Sequence, residues 1–389
     1  MRNIIFIFFL TIHCSLLQAQ SFTQLTFGTD STLEVMTWNS EHFPKNGQAT
    51  ISLVSQIIEA LDVDLIALQE VSDTNLLRQM VNSLPGYQCY SKSVKFAGLA
   101  YIYKNTIIQA DSIFEIYTAA TYSKPFPRLP MVMNFHFLNK EFFIINNHLK
   151  CCGDGILDLN NSSDEENRRY LAANLLKQYI DSTLPDKQVL VVGDMNDLIA
   201  EPAQNNVFQN FINDTAGYLF TDMEIAQGSS SGWSYPTWPS HLDHILITNE
   251  LFAAFENGNA DVKAIKIDTC LSGGWNEYEN NISDHRPVAV RLRTDSCSAL
   301  VHHFPRENRL SIIPNPAGIN VSFVFPIAGK NAKIEIYNAA GQFVKMIHIA
   351  EGQNLITLPA GDFYPGIYYL RYFIDNLNTV SGKVMIPRE

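Results

Sequence analysis

The sequence is poor in positive charge. Its 27 Lys and Arg residues are outnumbered by 39 Asp and Glu residues, which gives a formal net charge of -12. A protein that binds nucleic acid passively relies on Lys and Arg contacts with phosphates, so this balance argues against that class. An enzyme that acts on phosphates is not excluded, because a carboxylate-rich site with a divalent cation is locally less negative than the count implies.

Long apolar runs are also lacking. After the N-terminus no stretch approaches about 18 uninterrupted apolar residues, so no transmembrane segment is predicted. The first twenty residues have another pattern: Arg2 is followed by an apolar run over residues 4–10 and by a small residue, Ala19, suited to cleavage. We therefore predict a signal peptide over residues 1–20 and a mature protein that is secreted or held at the cell surface.

Cysteine is scarce. One of the six cysteines lies in the predicted signal peptide, and the other five are Cys89, Cys151, Cys152, Cys270 and Cys297. They lack the paired spacing of a zinc site. A bond between the neighbours Cys151 and Cys152 requires strained geometry, so we predict that at least one of them forms a long-range disulfide. The alternative is two buried apolar thiols.

Residues 21–294 are predicted to form one domain of many strands and few helices. That pattern favours packed sheets flanked by helices. The predicted strands are Leu33–Trp38, Leu65–Gln69, Leu99–Tyr103, Met131–Leu138, Phe142–Asn146, Val189–Val192, Leu242–Ile247 and Val288–Leu292. Two helices are predicted: Ile51–Leu61 with Thr50 as N-cap, and Glu166–Ile180 with Leu171, Leu175 and Tyr179 on one face.

The C-terminal part of the chain has a different pattern. Residues 295–309 lack a clear period and are predicted to be a linker, in which His302 and His303 are solvated. Residues 310–389 contain only short strands separated by turn signals, which is typical of a small β-sandwich. Because this region has one histidine, His348, and no carboxylate cluster, we assign it no chemistry.

Six apolar strands of the larger domain run into polar or ionisable residues. Such ends are costly to bury unless they are paired or bound to metal. Their repeated Asn, Asp, Glu and His residues indicate convergence on one cleft. The segments are Met36–Glu41, Ile66–Glu70, Ile145–Leu149, Val192–Asn196, Leu242–Ile245 and Ser283–Pro287.

The oxygen-bearing residues at these ends fit a hard cation. Asn39, Glu41, Glu70 and Asp284 offer amide or carboxylate oxygens, which suit Mg²⁺, Mn²⁺ or Ca²⁺ better than a thiolate-bound metal.

Other strand ends offer groups for proton transfer. His148 and His285 are able to exchange protons near neutral pH, and Asp243 is placed to hold the imidazole of His285 in one tautomer. Asp194 and Asn196 point the same way if their strand continues, and are candidates to orient an attacking water.

In order, these segments resemble five motifs of the endonuclease/exonuclease/phosphatase superfamily, which includes pancreatic deoxyribonuclease and exonuclease III. The motifs are an N-terminal Asn motif, Leu-Gln-Glu, His-Leu, Gly-Asp-x-Asn and Ser-Asp-His, between Leu33 and Arg293. The resemblance implies an α+β fold, a four-layer α/β/β/α sandwich with its site at one end of the two sheets.

The resemblance also implies residue roles. Glu70 corresponds to the main metal ligand, with Asn39 and Glu41 beside it, and Asp284 to a metal-binding or supporting group. Asp194 and Asn196 correspond to the pair that positions water and phosphate, His285 to the catalytic histidine and Asp243 to its orienting carboxylate. His148 corresponds to the second histidine of the deoxyribonuclease branch. Arg128 is a candidate phosphate contact, and no role is expected for His244.

The C-terminal segments Ile313–Pro316, Ile336–Gly341 and Pro365–Leu370 resemble the type IX secretion sorting domain of Bacteroidota. This resemblance implies the type IX secretion machinery as a partner of the chain.

The expected reaction is metal-assisted phosphoester hydrolysis. Our first expectation is an extracellular endonuclease acting on DNA or RNA, with Trp233, Tyr235 and Trp238 either stacking on bases or packing a loop. The alternatives are a phosphatase or phosphodiesterase on lipid headgroups, inositol phosphates or nucleotides, and an inactive surface adhesin, against which the intact site residues argue.

Overall fold

The computed structural model describes residues 22–91, 98–256, 258, 260–294, 310–313, 320–325, 328–330, 332–339, 341–373 and 379–387. The predicted signal peptide, the predicted linker and Cys297 lie outside these residues.

The strands of the larger domain are β1 Leu33–Phe43, β2 Leu65–Val71, β3 Tyr87–Ser91, β4 Gly98–Lys104, β5 Gln109–Glu115, β6 Met131–Phe137, β7 Lys140–His148, β8 Gln188–Asp194, β9 Tyr218–Phe220, β10 Asp243–Thr248, β11 Asp261–Ala264 and β12 Val288–Leu292. The α-helices are α1 Gly47–Leu61, α2 Thr74–Asn82, α3 Glu165–Thr183, α4 Gln209–Ile212, α5 Met223–Gln227, α6 Phe252–Phe255 and α7 Gly274–Asn281.

These strands form two six-stranded sheets. The first has the order β11-β12-β1-β2-β4-β3, and the second has the order β5-β6-β7-β8-β10-β9. In each sheet two central strands are parallel, β1 with β2 and β7 with β8. Parallel neighbours bring their C-terminal ends to the same edge, so each sheet presents two strand ends side by side.

Three apolar cores separate four layers. Period-two alternation in β1 sends Leu33 and Val35 between the sheets, where they join residues such as Ile144 and Val192 of the second sheet. Met36 and Trp38 of β1 point outward and pack under α1, α2 and α7. On the other side α3 and α4 cover the second sheet. The predicted four-layer α/β/β/α sandwich is therefore confirmed.

Two local predictions about the helices are wrong. Helix α1 begins at Gly47 rather than after Thr50, whose hydroxyl accepts a hydrogen bond from the backbone N–H of Asn46. In α3 the predicted apolar face is rotated, because Leu171 is exposed while Ala172, Ala173, Leu176 and Ile180 are buried. The buried face of α3 also carries Glu166 and Arg169, so hydrophobic periodicity alone could not locate it.

The C-terminal region is all-β, as predicted. Its strands are β13 Ser311–Ile313, β14 Asn320–Val324, β15 Lys333–Asn338, β16 Phe343–His348, β17 Leu355–Pro359, β18 Gly366–Phe373 and β19 Thr379–Ile386. They form a three-stranded sheet, β13-β14-β17, and a four-stranded sheet, β16-β15-β18-β19, around a separate apolar core. Across the described part of the chain, every helix is too short or too polar to span a bilayer.

Candidate active site

The ends of β1 and β2 leave regular strand geometry where the candidate metal ligands lie. Glu41, His42 and Glu70 have positive φ angles of 37°, 59° and 60°. Non-glycine residues adopt this left-handed region rarely, and such strain concentrates at functional sites. The register between β1 and β2 shifts between Asn39 and Phe43. These irregularities turn the side chains at the two ends away from strict alternation.

Near their ends, the backbones of β7 and β8 approach each other so closely that a side chain at position 193 would not fit between them. Gly193 has a φ of 146°, and a Cβ on it would lie 2.0 Å from the carbonyl oxygen of Asn147. Only glycine fits this approach. The residues that follow in the two strands are His148 and Asp194. They are register partners, so their side chains lie side by side.

Asn39 joins the two sheets. Its Nδ2 donates to Oδ2 of Asp194 in the second sheet at 2.9 Å and to Oε1 of Glu70 in the first sheet at 3.3 Å. The Nε2 of His148 lies 3.5 Å from the same oxygen of Asp194 and 3.8 Å from Oε1 of Glu70. Four predicted site residues from four strands therefore meet in one cluster.

His285 approaches this cluster from the loop before β12. Its Nδ1 lies 2.7 Å from Oδ2 of Asp243, and its Nε2 lies 3.9 Å from Asp194 Oδ2 and 3.9 Å from Asp284 Oδ1. The backbone of the loop is fixed too, because Ser283 donates from Oγ to the carbonyl oxygen of Asn39 at 2.7 Å.

The outer core also holds this histidine. Tyr278 Oη donates to the carbonyl oxygen of His285 at 2.6 Å, and Trp38 Nε1 donates to the same oxygen at 3.3 Å. The imidazole is thus oriented by Asp243 on one side, while its backbone is anchored by two buried aromatic residues.

The two histidines have opposite electrostatic surroundings. Burial acts to lower the pKa of His285, but the negative charges of Asp243 and Asp194 outweigh it and raise this pKa to about 10. Burial lowers the pKa of His148 well below its usual range, and the positive charges of Arg128 and His285 lower it further. Near neutral pH, one cationic and one neutral imidazole therefore lie beside Asp194. Burial raises the pKa of Asp194 to about 6, although the positive charge of His285 acts to lower it.

The cluster has the charge and donor set of a cation site. Glu70, Asp194, Asp243 and Asp284 bring four carboxyl groups together around His285. Oδ1 of Asp243 is buried and has no hydrogen-bond partner among the described residues, which marks an unmet demand for positive charge. Oxygen donors of this kind fit Mg²⁺, Mn²⁺ or Ca²⁺.

Glu41 lies in a supporting position. Its Oε2 accepts from the backbone N–H of Asp284 at 2.7 Å and pairs with Lys45. Its backbone N–H donates to Oδ1 of Asn39 at 3.0 Å. Glu41 thereby ties the end of β1 to the loop that carries Asp284 and His285.

Asn196 reaches the cluster by a turn, not by a continued strand. Strand β8 ends at Asp194, and Asn196 has a φ of 54° with its backbone N–H donating to Oδ1 of Asp194 at 3.1 Å. Its Nδ2 donates to the carbonyl oxygen of Leu149 at 3.3 Å. The strand therefore does not continue as the predicted alignment of the two side chains required, and the turn brings the two residues together instead.

Arg128 is half-buried and forms no ion pair within the described part of the chain. Its charge acts on His148, so it lies near the site. An unpaired guanidinium at this position suits a phosphate.

The predicted aromatic residues have separate positions. Trp233 donates from Nε1 to the carbonyl oxygen of Ile225 at 3.0 Å and packs, whereas Trp238 is 78% exposed. The ring of Tyr235 lies 4.7 Å from the ring of His285, a contact that the sequence did not indicate.

Sequence reasoning also missed His42, whose Nδ1 lies 3.3 Å from Oε2 of Glu70. Its position directly after Glu41 was the available signal. A second buried cluster was missed as well. Asp222 Oδ2 lies 2.6 Å from Nδ1 of His244 and 2.9 Å from Nε2 of His241.

This second cluster is satisfied without a ligand. Nε2 of His244 donates to the carbonyl oxygen of Asp197 at 2.9 Å, and Nδ1 of His241 accepts from the backbone N–H of Ser234 at 3.2 Å. Because both ring nitrogens of His244 face acceptors, its imidazole is protonated and forms a buried ion pair with Asp222.

Two six-stranded sheets thus carry an acidic cluster with two histidines at the ends of their strands. The sequence pattern of the Endonuclease/Exonuclease/phosphatase family matches residues 36–285, and the chain belongs to that family. It is accordingly a phosphoester hydrolase, of a family that generally uses divalent metal ions. The Secretion system C-terminal sorting domain matches residues 311–387, which indicates secretion or attachment at the cell surface.

The chain is similar to several solved structures. D. rerio TDP2, solved with a single-strand DNA product, is 14% identical, with 68% of this chain and 100% of that chain covered and a TM-score of 0.52. A Bacteroides vulgatus endonuclease/exonuclease/phosphatase is 15% identical, with 68% and 100% covered and a TM-score of 0.48. The human Nocturnin catalytic domain is 18% identical, with 67% and 94% covered and a TM-score of 0.48. None of the curated proteins compared with the chain matches it.

Proposed function

We propose that this chain is an extracellular metal-dependent endonuclease that hydrolyses phosphodiester bonds of DNA or RNA. The observation that carries the proposal is the pair of histidines on one carboxylate. The Nε2 atoms of His148 and His285 lie 3.5 Å and 3.9 Å from the same Oδ2 of Asp194. An alkoxide leaving group needs a proton while the attacking water must lose one, and two imidazoles meet both needs.

The opposite pKa shifts of the two histidines support one role for each. His148 is neutral and able to accept a proton from water, whereas His285 is cationic and able to contact a phosphoryl oxygen or to protonate the leaving oxygen. Asp243 keeps the imidazole of His285 in the orientation that this requires. Asp194 and Asn196 orient the water, and Arg128 binds a phosphate oxygen.

The residues fit a divalent cation, and Glu70 is the ligand that we propose first. Asn39, Glu41 and Asp284 are the further candidate ligands, and hydrogen bonds link Asp284 to Glu41, Glu41 to Asn39 and Asn39 to Glu70. When bound, such a cation polarises the phosphoryl group and stabilises the charge of the leaving oxygen.

The exposed aromatic hairpin favours a nucleic acid over a small phosphoester. Tyr235 and Ser240 pair across a short bridge, with Trp238 exposed at its tip and Tyr235 resting on His285. The exposed ring of Trp238 is available to stack on a base near the scissile phosphate.

The test compares plasmid DNA, RNA, inositol phosphates and phospholipid vesicles, each with Mg²⁺ and with EDTA. We expect metal-dependent cleavage of nucleic acid. Trp238→Ala should raise KM for DNA several-fold and leave hydrolysis of a small phosphodiester unchanged, with the exposed Tyr364→Ala in the C-terminal region as a matched control. Cleavage only of inositol phosphates or phospholipids, or activity that survives EDTA, would contradict the proposal.

A further inference from the structure

Cys151 and Cys152 stand three and four residues after His148, on the loop that leaves β7. Their sulfur atoms lie 2.9 Å apart, well inside van der Waals contact. The other described cysteines, Cys89 and Cys270, pack against the outer core of the first sheet, on the opposite side of the sandwich. Within the described part of the chain, the sulfur nearest to each thiol of the pair is therefore that of its neighbour.

Neighbouring cysteines ordinarily cannot bond. Their Cα atoms lie about 3.8 Å apart across a trans peptide, below the usual disulfide range of about 4.4 to 6.8 Å, and in a strand their side chains point to opposite faces. Here the backbone is already bent. Cys152 has a φ of 71° and Gly153 a φ of 114°, and in this bent loop the two sulfurs lie 2.9 Å apart.

One buried arginine holds this bent backbone. Nη1 of Arg169 donates to the carbonyl oxygen of Lys150 at 2.8 Å and to that of Cys152 at 2.7 Å, so the peptide before Cys151 and the peptide after Cys152 are both held. Nε of Arg169 donates to Asp197 at 2.6 Å, and Arg169 is only 2% exposed. The conformation that brings the sulfurs together is thus imposed by the fold and does not depend on a bond between them.

We propose that Cys151 and Cys152 form a disulfide with each other when the protein is exported, and that the oxidant is the disulfide of a thiol–disulfide exchange partner. Secretion supplies the oxidising compartment in which such bonds persist. The inference is independent of the substrate proposed above.

The exchange takes place in two steps and involves both cysteines and the disulfide of the oxidant. Nζ of Lys150 lies 3.8 Å from Sγ of Cys151, and the thiolate of Cys151 is the attacking form. That thiolate opens the oxidant's S–S bond to give a mixed disulfide and one free thiol. The Cys152 thiolate then attacks Sγ of Cys151 and releases the second thiol. Two protons leave the cysteines, and their two electrons reduce the oxidant.

Peptide mapping of the full chain tests the proposal. Trypsin cuts after Lys150 and Arg168, which gives a peptide that contains both cysteines and no other. The protein is secreted without reductant and alkylated at once. We expect this peptide to carry no alkyl label and to be lighter than the dithiol peptide by two hydrogen atoms. After reduction it should take up two labels. Two labels before reduction, or a cross-link to another peptide such as that of Cys297, would overturn the inference. A Cys297→Ser variant should map identically.

A probe for neighbouring thiols gives a second measurement that does not depend on mapping. Phenylarsine oxide bridges two adjacent thiols, so it should bind the reduced protein in a one-to-one ratio and the secreted protein not at all. Cys151→Ser or Cys152→Ser should abolish this binding, whereas Cys89→Ser should retain it. Binding by the untreated secreted protein would show a free pair and refute the proposal.

Discussion

Oδ2 of Asp243 lies 2.7 Å from Nδ1 of His285, while Oδ1 of the same carboxylate is buried without a hydrogen-bond partner among the described residues. One oxygen thus orients the imidazole, and the other adds negative charge to the cluster. Asp243 is the first residue of β10, which is paired with β8 at Asp194. The sheet therefore sets the position of the carboxylate that orients the histidine.

The first prediction concerns this pair. His285→Ala should lower kcat by about 10² to 10⁴-fold, the usual contribution of a positioned acid or base. Asp243→Asn should also lower kcat, because it removes the charge that keeps His285 cationic and weakens the hydrogen bond that orients its ring. Steady-state kinetics on a phosphodiester substrate measures both. His136→Ala, at a surface histidine paired with Asp111, is the control. Equal kcat values for the His285 and His136 variants would refute the assignment.

The second prediction concerns Glu70. Glu70→Gln keeps the shape of the side chain and removes its charge, so metal affinity should fall while the thermal midpoint without metal stays near that of the parent protein. Calorimetric titration with Mg²⁺ and a thermal melt give the two readouts. Glu59→Gln, on the exposed face of α1, is the matched control. Unchanged affinity in Glu70→Gln would exclude this residue as a ligand.

The third prediction separates His244 from its neighbour Asp243. His244→Ala leaves Asp222 buried without its main cationic partner, so we expect a loss of about 3–5 kcal/mol in stability. The hydrogen bonds place no atom of its ring in the reactive cluster, so kcat of the folded fraction should change little. Denaturant unfolding and active-site-normalised kinetics test the two halves. A loss of kcat similar to that of His285→Ala would contradict the distinction.

The same ion pair predicts a pH dependence of stability. Burial acts to lower the pKa of His244, but the negative charge of Asp222 outweighs it and raises this pKa above the usual value. The contribution of His244 is therefore fully present below the ordinary histidine pKa of about 6.5 and is lost as pH rises through the folded-state value. The stability difference between parent and His244→Ala should shrink towards high pH. A difference that grows with pH would show that the imidazole is neutral.

The fifth prediction concerns the domain boundary. Ser21–Leu300 expressed alone should fold and retain the specific activity of the mature chain, because the C-terminal strands have their own core. Circular dichroism establishes folding, and kcat/KM on DNA measures activity. A folded fragment with reduced kcat/KM would show that the sorting domain contributes to the site.

Much of the fold could be predicted from the sequence. All eight strands predicted for the larger domain exist, since β-branched and aromatic runs bounded by turn residues are strong local signals. Short edge strands such as β9 and β11 were not predicted, because few residues and mixed burial give them no period.

The site was predicted as a set of residues but not as a geometry. Motif order was enough to bring Asn39, Glu70, Asp194 and His285 together. The left-handed residues Glu41 and Glu70 carry no sequence signal, because nothing local favours φ > 0 there. The Asp222–His244 pair and the contact between Cys151 and Cys152 depend on tertiary structure, which propensities do not report. The long-range disulfide predicted for this pair is absent among the described residues, and the bond that we propose instead joins the two neighbours.

The amide of Asn39 has a consequence for folding. It spans Glu70 of one sheet and Asp194 of the other, so neither sheet alone contains the whole of the proposed reactive centre. Hydrolysis during refolding therefore reports the moment at which the two sheets dock, while circular dichroism reports the strands themselves. A lag between the two signals would measure the time that the halves of the sandwich spend formed but not yet joined.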